Sequence, residues 1–522
     1  MRYDVVIIGG AFSGAAAALL LRRELPSLSI LIVEAKESFD RKVGEATTEV
    51  SGCFLTKRLA LTNHLLHHHI AKQGLRMWFT SPERPAFEDC VEIGANYQVK
   101  LPSYQVDREV LDLHVLDLAR TAGAELWRPA KLVSATSASS DAANGTAGAN
   151  ASHTLEIRVG EETRRVECRW LLDASGRASF LARKRGSLKG LTEHPTNAMW
   201  ARLRGVRDWD GHDVRSAFPK YAGRVHTSRT AATNHLTGYG WWCWIIPLKG
   251  GDTSVGLVYD SRLYSPPSEG RIGERLLSHV RAHPIGREIF RDAEVIEGDQ
   301  KAYSALPYYA EEIAGEGWQI IGDAAGFLDP LYSQGLDYCS WTVSLAVDRI
   351  ARESRGESVD FSALNARFRE SLLGWFRALY KDKYYYLGDA ELMTAAFLMD
   401  IGLFFFGPVR EVIANPSTGF NDLPFTGPAD RQVCRLMSFY NRRLATLARE
   451  RQEFGCYGKW APRPSETLAG FEPNNSVWKL VLRGARLWGR AEWRNARLRA
   501  GKRATPEPSP LLPIAPASPA SA

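Results

Sequence analysis

The sequence predicts an α/β chain in which a parallel nucleotide-binding sheet is interrupted by a β-rich insertion and followed by a mainly helical region. Three observations predict it. Residues 3–34 alternate strand, helix and strand around a run of small residues, residues 196–259 are Trp-rich and β-leaning, and the pattern after about Leu345 turns helical as far as Arg503.

Tyr3 to Ile8 is an apolar run of strand length. Gly14 to Glu24 is Ala/Leu-rich and helical, and Ser29 to Glu34 is a second strand, so that a β-α-β unit of Rossmann type opens the chain. From Thr196 to Tyr259 a sheet is expected over the bound nucleotide, and Gln319 to Gly322 returns to the parallel sheet. The nucleotide-binding unit is therefore discontinuous, covering 1–133, 153–195 and 300–345, with a cover domain at 196–299 and a helical region at 346–503. Ser134 to Ser152 is Ala/Ser/Asn/Gly-rich and reads as a mobile loop, and Ala504 to Ala522 as a disordered tail. The apolar run Leu392 to Val409 is broken by Asp400, Gly402 and Pro408 and reads as a buried helix or the wall of a lipophilic site.

At 522 residues the chain is long enough for two or more packed units and a large enclosed site. Seven scattered cysteines, an odd number without a C-x-x-C pair, argue against a disulfide framework and a zinc site. With no signal-peptide pattern at the N-terminus, a cytoplasmic enzyme is expected. The net charge of +7 is modest and concentrated late in the chain, so no nucleic-acid partner is expected.

The turn Gly9-Gly10-Ala11-Phe12-Ser13-Gly14 sits where backbone N–H groups and a helix N-terminus meet a pyrophosphate. Ala11 stands where the usual pattern has glycine. Glu34, 20 residues beyond Gly14, is placed to accept hydrogen bonds from ribose hydroxyls. Two later segments, Asp173-Ala174-Ser175-Gly176-Arg177 and Gly322-Asp323-Ala324-Ala325-Gly326, resemble the FAD-contacting motifs of the flavoprotein family that includes aromatic hydroxylases, geranylgeranyl reductases and halogenases. The resemblance implies that Asp173, Gly322 and Asp323 approach FAD and that Arg108 is the family arginine near the cofactor.

Trp242-Cys243-Trp244-Ile245-Ile246-Pro247 matches the W-x-W-x-I-P signature of flavin-dependent halogenases, and the chain is identified as resembling their phenol and pyrrole type. Two indoles in that family wall the flavin so that a halide, and not the organic substrate, reaches it. The resemblance implies reduced FAD (FADH2) from a separate flavin reductase, a halide near Ser333, Gln334 and Gly335, and Glu45 in a strap beside the flavin. It also implies that Lys72, in Lys72-Gln73-Gly74, is the catalytic lysine that presents hypohalous acid to the substrate. Tyr332 stands where tryptophan halogenases carry a glutamate, which points to a phenol or pyrrole, free or on an acyl carrier protein, in secondary metabolism. The rivals are an FAD monooxygenase, a geranylgeranyl reductase-like enzyme and a flavin-bearing docking protein without turnover.

Ser476 is placed to cap a helix from Val477 to about Arg503 with a basic stripe of Lys479, Arg483, Arg486, Arg490, Arg494 and Arg497. Its other side, Val477, Leu480, Val481, Ala485, Trp488 and Ala491, is apolar. A docked terminal helix is the plain reading, and an acidic carrier protein or an anionic membrane is the alternative for its outward face. His64, His67, His68 and His69 fan around a helix end, so no metal is expected there.

Overall fold

A computed structural model describes residues 1–137, 153–463 and 477–502. The opening unit forms as the sequence predicts, with a strand at Arg2–Ile8, a helix at Phe12–Glu24 and a strand at Ile30–Val33. Arg2–Ile8 lies between Ile30–Val33 and Glu162–Asp173, parallel to both. Glu125–Trp127 and Trp318–Ile320 extend the parallel order on either side. Val5, Val6 and Ile7 are fully buried, as a strand covered on both faces must be. Gly14 is required here, because a Cβ on it would lie 1.9 Å from the Gly9 carbonyl oxygen, and Gly9 itself has φ +102°.

The insertion builds a seven-stranded sheet, in which Glu294–Tyr303, Thr196–Arg204, Thr253–Asp260, Trp241–Pro247 and Thr233–Gly238 are joined by Leu75–Phe79 and Val91–Ile93. The last two strands and the end of Glu294–Tyr303 fall in segments assigned from sequence to the nucleotide-binding unit. Those boundaries are corrected because short strands follow their hydrogen-bond partners, and Leu75–Phe79 pairs in parallel with Thr233–Gly238. Strand alternation divides the core in two. Trp242, Trp244 and Ile246 face the large cluster shared with the nucleotide sheet, whereas Trp241, Cys243 and Ile245 face a smaller cluster under the helices Ile272–Ala282 and Pro284–Ile289.

The first four residues of the loop expected at 134–152 are strand instead. Ser134 to Ser137 extend the strand Ala130–Ser137, which pairs with His153–Val159, and 138–152 lie outside the described residues, as do Ser476 and the tail at 504–522. The run Leu392 to Val409 lies on a largely buried helix, Ala390–Phe404, which continues past Pro408 through a π-turn at Phe405–Val409 into Arg410–Ala414. The wider turn accommodates the missing proline N–H. Among the described residues this stretch, Ala390–Ala414, is apolar and long enough to cross a membrane, and 72% of its most apolar window is buried inside the protein.

The helix Val477–Lys502 docks on Ala390–Phe404. Its buried face is Val477, Leu480, Gly484, Leu487, Ala491 and Asn495, and Ala485, assigned from sequence to the apolar face, is exposed. Small residues decide which face docks. A Cβ on Gly484 would lie 2.6 Å from Met399 Cγ, and one on Gly402 would lie 2.6 Å from Val481 Cγ2. Gly484→Val should accordingly destabilise the protein by about 1–3 kcal/mol in denaturant unfolding. Gly489→Ala on the same helix, where nothing lies within 4 Å of the added carbon, should be neutral or gain up to about 1 kcal/mol.

Candidate active site

On the nucleotide side, the helix Phe12–Glu24 starts at Ala11 without a side-chain cap, leaving its first-turn N–H groups available to a diphosphate. Glu34 closes the second strand, and its Oε2 accepts the Gly10 N–H at 2.7 Å. A glycine cradle, an uncapped helix start and a carboxylate at the strand end together fit FAD. Ser13 and Gly322 meet face to face, since a Cβ on Gly322 would lie 2.2 Å from Ser13 Oγ. Asp323 follows, its carboxyl pushed up by burial and opposed by Arg108.

Arg108 is held by Asp112, with contacts of 2.9 and 3.1 Å, and passes beneath the strap at Gly44. Two of the residues assigned from sequence to the cofactor make internal contacts through their carboxylates. Asp173 accepts the N–H groups of Ser175 at 2.9 Å and Leu181 at 2.7 Å, so its carboxylate ties the turn together rather than reaching outward. Glu45 is buried against Arg202 at 2.7 Å, which also holds Asp107 at 2.8 Å. Burial pushes the Glu45 carboxyl up to about 7, with Arg202 opposing. Its side chain locks the strap to the seven-stranded sheet.

The strap continues as Thr47-Thr48-Glu49, and Thr48 and Glu49 reach a second region, the cavity that Lys72 lines. Lys72 follows the short strand Ile70–Ala71, with its N–H on the Ser103 carbonyl at 2.8 Å and its Nζ on the Thr47 carbonyl at 2.8 Å. Burial pushes the Lys72 amine down to about 8, with Glu49 and Asp337 pulling it back up. Lys72 and Glu49 line one cavity of about 930 Å³, part of it open to solvent, whose walls include Leu101, Tyr332, Phe397 and Phe404. Tyr332 donates to Asp400 at 2.9 Å, and Lys383 and Tyr440 hold the same carboxylate at 2.5 and 2.6 Å. The aromatic wall is thus fixed by a buried ion pair.

Gln334 lines this cavity and a second, smaller one of about 280 Å³ that also includes Phe327, Asp329, Gly335 and Tyr380. Gly335 begins the 20-residue helix Gly335–Ser354, whose N-terminus carries no side-chain cap. Ser333 lines neither cavity. It takes the left-handed turn at φ +60° that swings Gln334 and Gly335 inward. Trp242 and Trp244 are both buried, and the Trp242 indole N–H donates to the Tyr384 hydroxyl at 2.9 Å. Tyr384 in turn donates to Asp329 at 2.8 Å, which ties the tryptophan strand to the wall of the smaller cavity.

Two residues escaped the sequence reading. Asp337, in the first turn of Gly335–Ser354, accepts Thr48 Oγ1 at 2.7 Å and the Ser51 N–H at 3.1 Å, and burial pushes its carboxyl up to about 7. Glu49 sits one residue after a cap, Thr48, whose capping box with Ser51 was readable but carries no chemistry by itself. Among the described residues no group of His, Cys, Asp and Glu could hold a metal.

A family model described as tryptophan halogenase matches residues 4–87 and 96–384. The flavin-dependent halogenase chlA of Dictyostelium discoideum is 23% identical over 420 residues, which are 75% of this chain and 68% of that one. A 1H-pyrrole-2-carbonyl-[peptidyl-carrier protein] brominase of Pseudoalteromonas luteoviolacea is 26% identical over 366 residues, covering 68% of this chain and 78% of its own length. Among solved structures, halogenase PltM in complex with phloroglucinol and FAD superposes with a TM-score of 0.68 at 18% identity, covering 94% of this chain and 98% of that one. The flavin-dependent brominase Bmp2 gives 0.61 at 21% identity, covering 85% and 100%. At such identities the superpositions establish the fold. The enzymes of this family use FADH2 and halide and need a flavin reductase. With most of its length under that family model, the chain belongs to the tryptophan halogenase family and is a flavin-dependent halogenase.

Proposed function

We propose that this enzyme halogenates an electron-rich phenol or pyrrole, free or carried on an acyl carrier protein, with Lys72 presenting hypohalous acid and Glu49 taking the proton that the ring loses. The observation that carries this reading is the shared cavity: Lys72 and Glu49 line it together with Gln334, which also lines the smaller cavity beside Gly335. Similarity to a pyrrole brominase and to a halogenase solved with phloroglucinol supports the substrate class.

With FADH2 bound, O2 would take two electrons from it and two from the halide, which would thereby reach the level of hypohalous acid. The helix N-terminus at Gly335 offers N–H groups and a positive dipole to the incoming halide. Burial of Trp242 and Trp244 keeps water from this side. The Lys72 ammonium gives a proton to the hypohalous oxygen, which leaves as water when the ring carbon takes the halogen, and the amine regains a proton by way of Glu49. Glu49, its carboxyl raised by burial and lowered again by Lys72, accepts the ring proton and restores aromaticity. The apolar wall of Leu101, Phe397 and Phe404 holds the substrate ring and excludes bulk water.

With FAD, a flavin reductase, NADH, O2 and bromide, the protein should brominate a phenol panel, detected by mass spectrometry above free-flavin and peroxide controls. Halide-independent oxygen consumption without brominated product would give first place to direct hydroxylation. Lys72→Ala should lower bromination by about 100-fold or more while FAD binding persists.

An ammonium with a pKa of about 8 is charged at pH 7 and loses its proton as pH rises. The rate should therefore fall through a limb near pH 8, and that limb should be missing from the residual activity of Lys72→Ala. Glu49→Gln should lower product formation by about 100-fold, and a monochlorodimedone trap should still register hypohalous acid. Loss of both signals in Glu49→Gln would place Glu49 in halide oxidation instead.

A further inference from the structure

The C-terminal helix carries the charge of the whole protein. Val477–Lys502 holds eight Lys and Arg residues against the single acid Glu492, which equals the net charge of +7 for the entire chain. Its inner face is buried on Ala390–Phe404, and Arg494 and Arg499 turn back to Glu391 and Glu450. The outward face has a different composition. Trp478, Leu482, Ala485, Gly489, Trp493 and Ala496 follow one another at spacings of three and four, a single stripe about 27 Å long. Trp478, Leu482 and Trp493 are 47%, 57% and 55% exposed, which is unusual for three large apolar side chains in line. Lys479, Arg486 and Arg497 flank them, all exposed, and the Arg497 guanidinium lies 3.6 Å from the Trp493 ring centroid.

The stripe continues across to the neighbouring helix. Phe406, 42% exposed, places its ring 5.0 Å from that of Trp478 and is itself approached by Arg410 at 5.7 Å. Phe404 and Phe405, immediately before it, line the cavity that holds Lys72. An exposed apolar stripe flanked by cations, with each end marked by an aromatic ring beside an arginine, matches the boundary between lipid headgroups and acyl chains. The rings and Leu482 enter the acyl boundary, and the cations meet lipid phosphates. A protein partner recognised through charge alone would not require the apolar stripe to stay bare.

We propose that this face, Phe406, Trp478, Leu482 and Trp493 with Lys479, Arg486 and Arg497, seats the enzyme on an anionic lipid surface. The cavity wall at Phe404 and Phe405 then lies next to the bilayer, where a lipophilic aromatic substrate partitions. The surface itself does not depend on the roles assigned to Lys72 and Glu49.

Co-sedimentation of the FAD-loaded full chain with phosphatidylcholine vesicles, and with vesicles containing one-quarter phosphatidylglycerol, tests it. Binding should be strong to the anionic vesicles, weak to the neutral ones, and reduced by salt. Replacing Lys479, Arg486 and Arg497 together by Ser should weaken anionic binding by roughly 100-fold. Trp478→Ser, Leu482→Ser and Trp493→Ser combined should weaken it by at least about tenfold, with FAD binding and bromination of a water-soluble phenol retained as the check on folding. Absence of binding to anionic vesicles at low salt overturns the proposal. So does capture of an acidic acyl carrier protein, or self-association in sedimentation velocity, by this same face when vesicles fail to bind.

Discussion

The hydrogen bonds that Asp337 accepts from Thr48 Oγ1 and the Ser51 N–H hold the two halves of the site in register. Asp337 belongs to the first turn of the helix that starts at Gly335, and Thr48 belongs to the strap whose Thr47 carbonyl anchors Lys72. A buried carboxyl between two otherwise separate segments is expensive unless satisfied. Here the cost is met by a hydroxyl and a backbone N–H from one capping turn, so strap and helix cannot shift independently. The distance between the cavity at Gly335 and Lys72 is thereby a property of the fold rather than of a flexible side chain.

Around that link, charge is used mainly to fasten structure. Glu45 with Arg202, Asp400 with Lys383, and Asp389 and Glu391 with Arg451 are buried ionic contacts, each supplemented by further hydrogen bonds. Lys72 differs from these cations in having no carboxylate in direct contact: its Nζ donates to a carbonyl, and burial lowers its pKa. That difference leaves a cation poised near neutrality in a largely apolar cavity, the condition under which a lysine is useful as a donor. The tryptophan strand is fastened in the same way. Its alternation sends Trp242 and Trp244 to the core shared with the nucleotide sheet and Trp241 to the far core, and Tyr384 fastens Trp242 to Asp329.

What could be read along the chain was what is local. The β-α-β entry, the glycines at 9 and 14, Glu34 at a fixed spacing and the alternation of the Trp241–Pro247 strand all follow from neighbours in sequence, because turn sterics and side-chain periodicity act over a few residues. The same holds for the C-terminal helix, whose length and basic stripe were legible, although which face docks was decided by the close approach of Gly484 and Gly402 to the partner helix. Short strands were misassigned for the complementary reason. Leu75–Phe79 and Val91–Ile93 have too few residues for their pattern to name a sheet, and only their pairing placed them.

The sequence by itself determined the α/β nucleotide-binding fold, the flavin motifs and the candidate Lys72, since each is carried by a contiguous run of residues. Only the tertiary structure decided that Asp173 and Glu45 spend their carboxylates on internal contacts, and that Glu49, Gln334 and Tyr332 share a cavity with Lys72. It also brought Asp337 to Thr48 across 289 positions. A carboxylate's role is set by what competes for its lone pairs and by how much water reaches it, and both depend on segments far away in the chain.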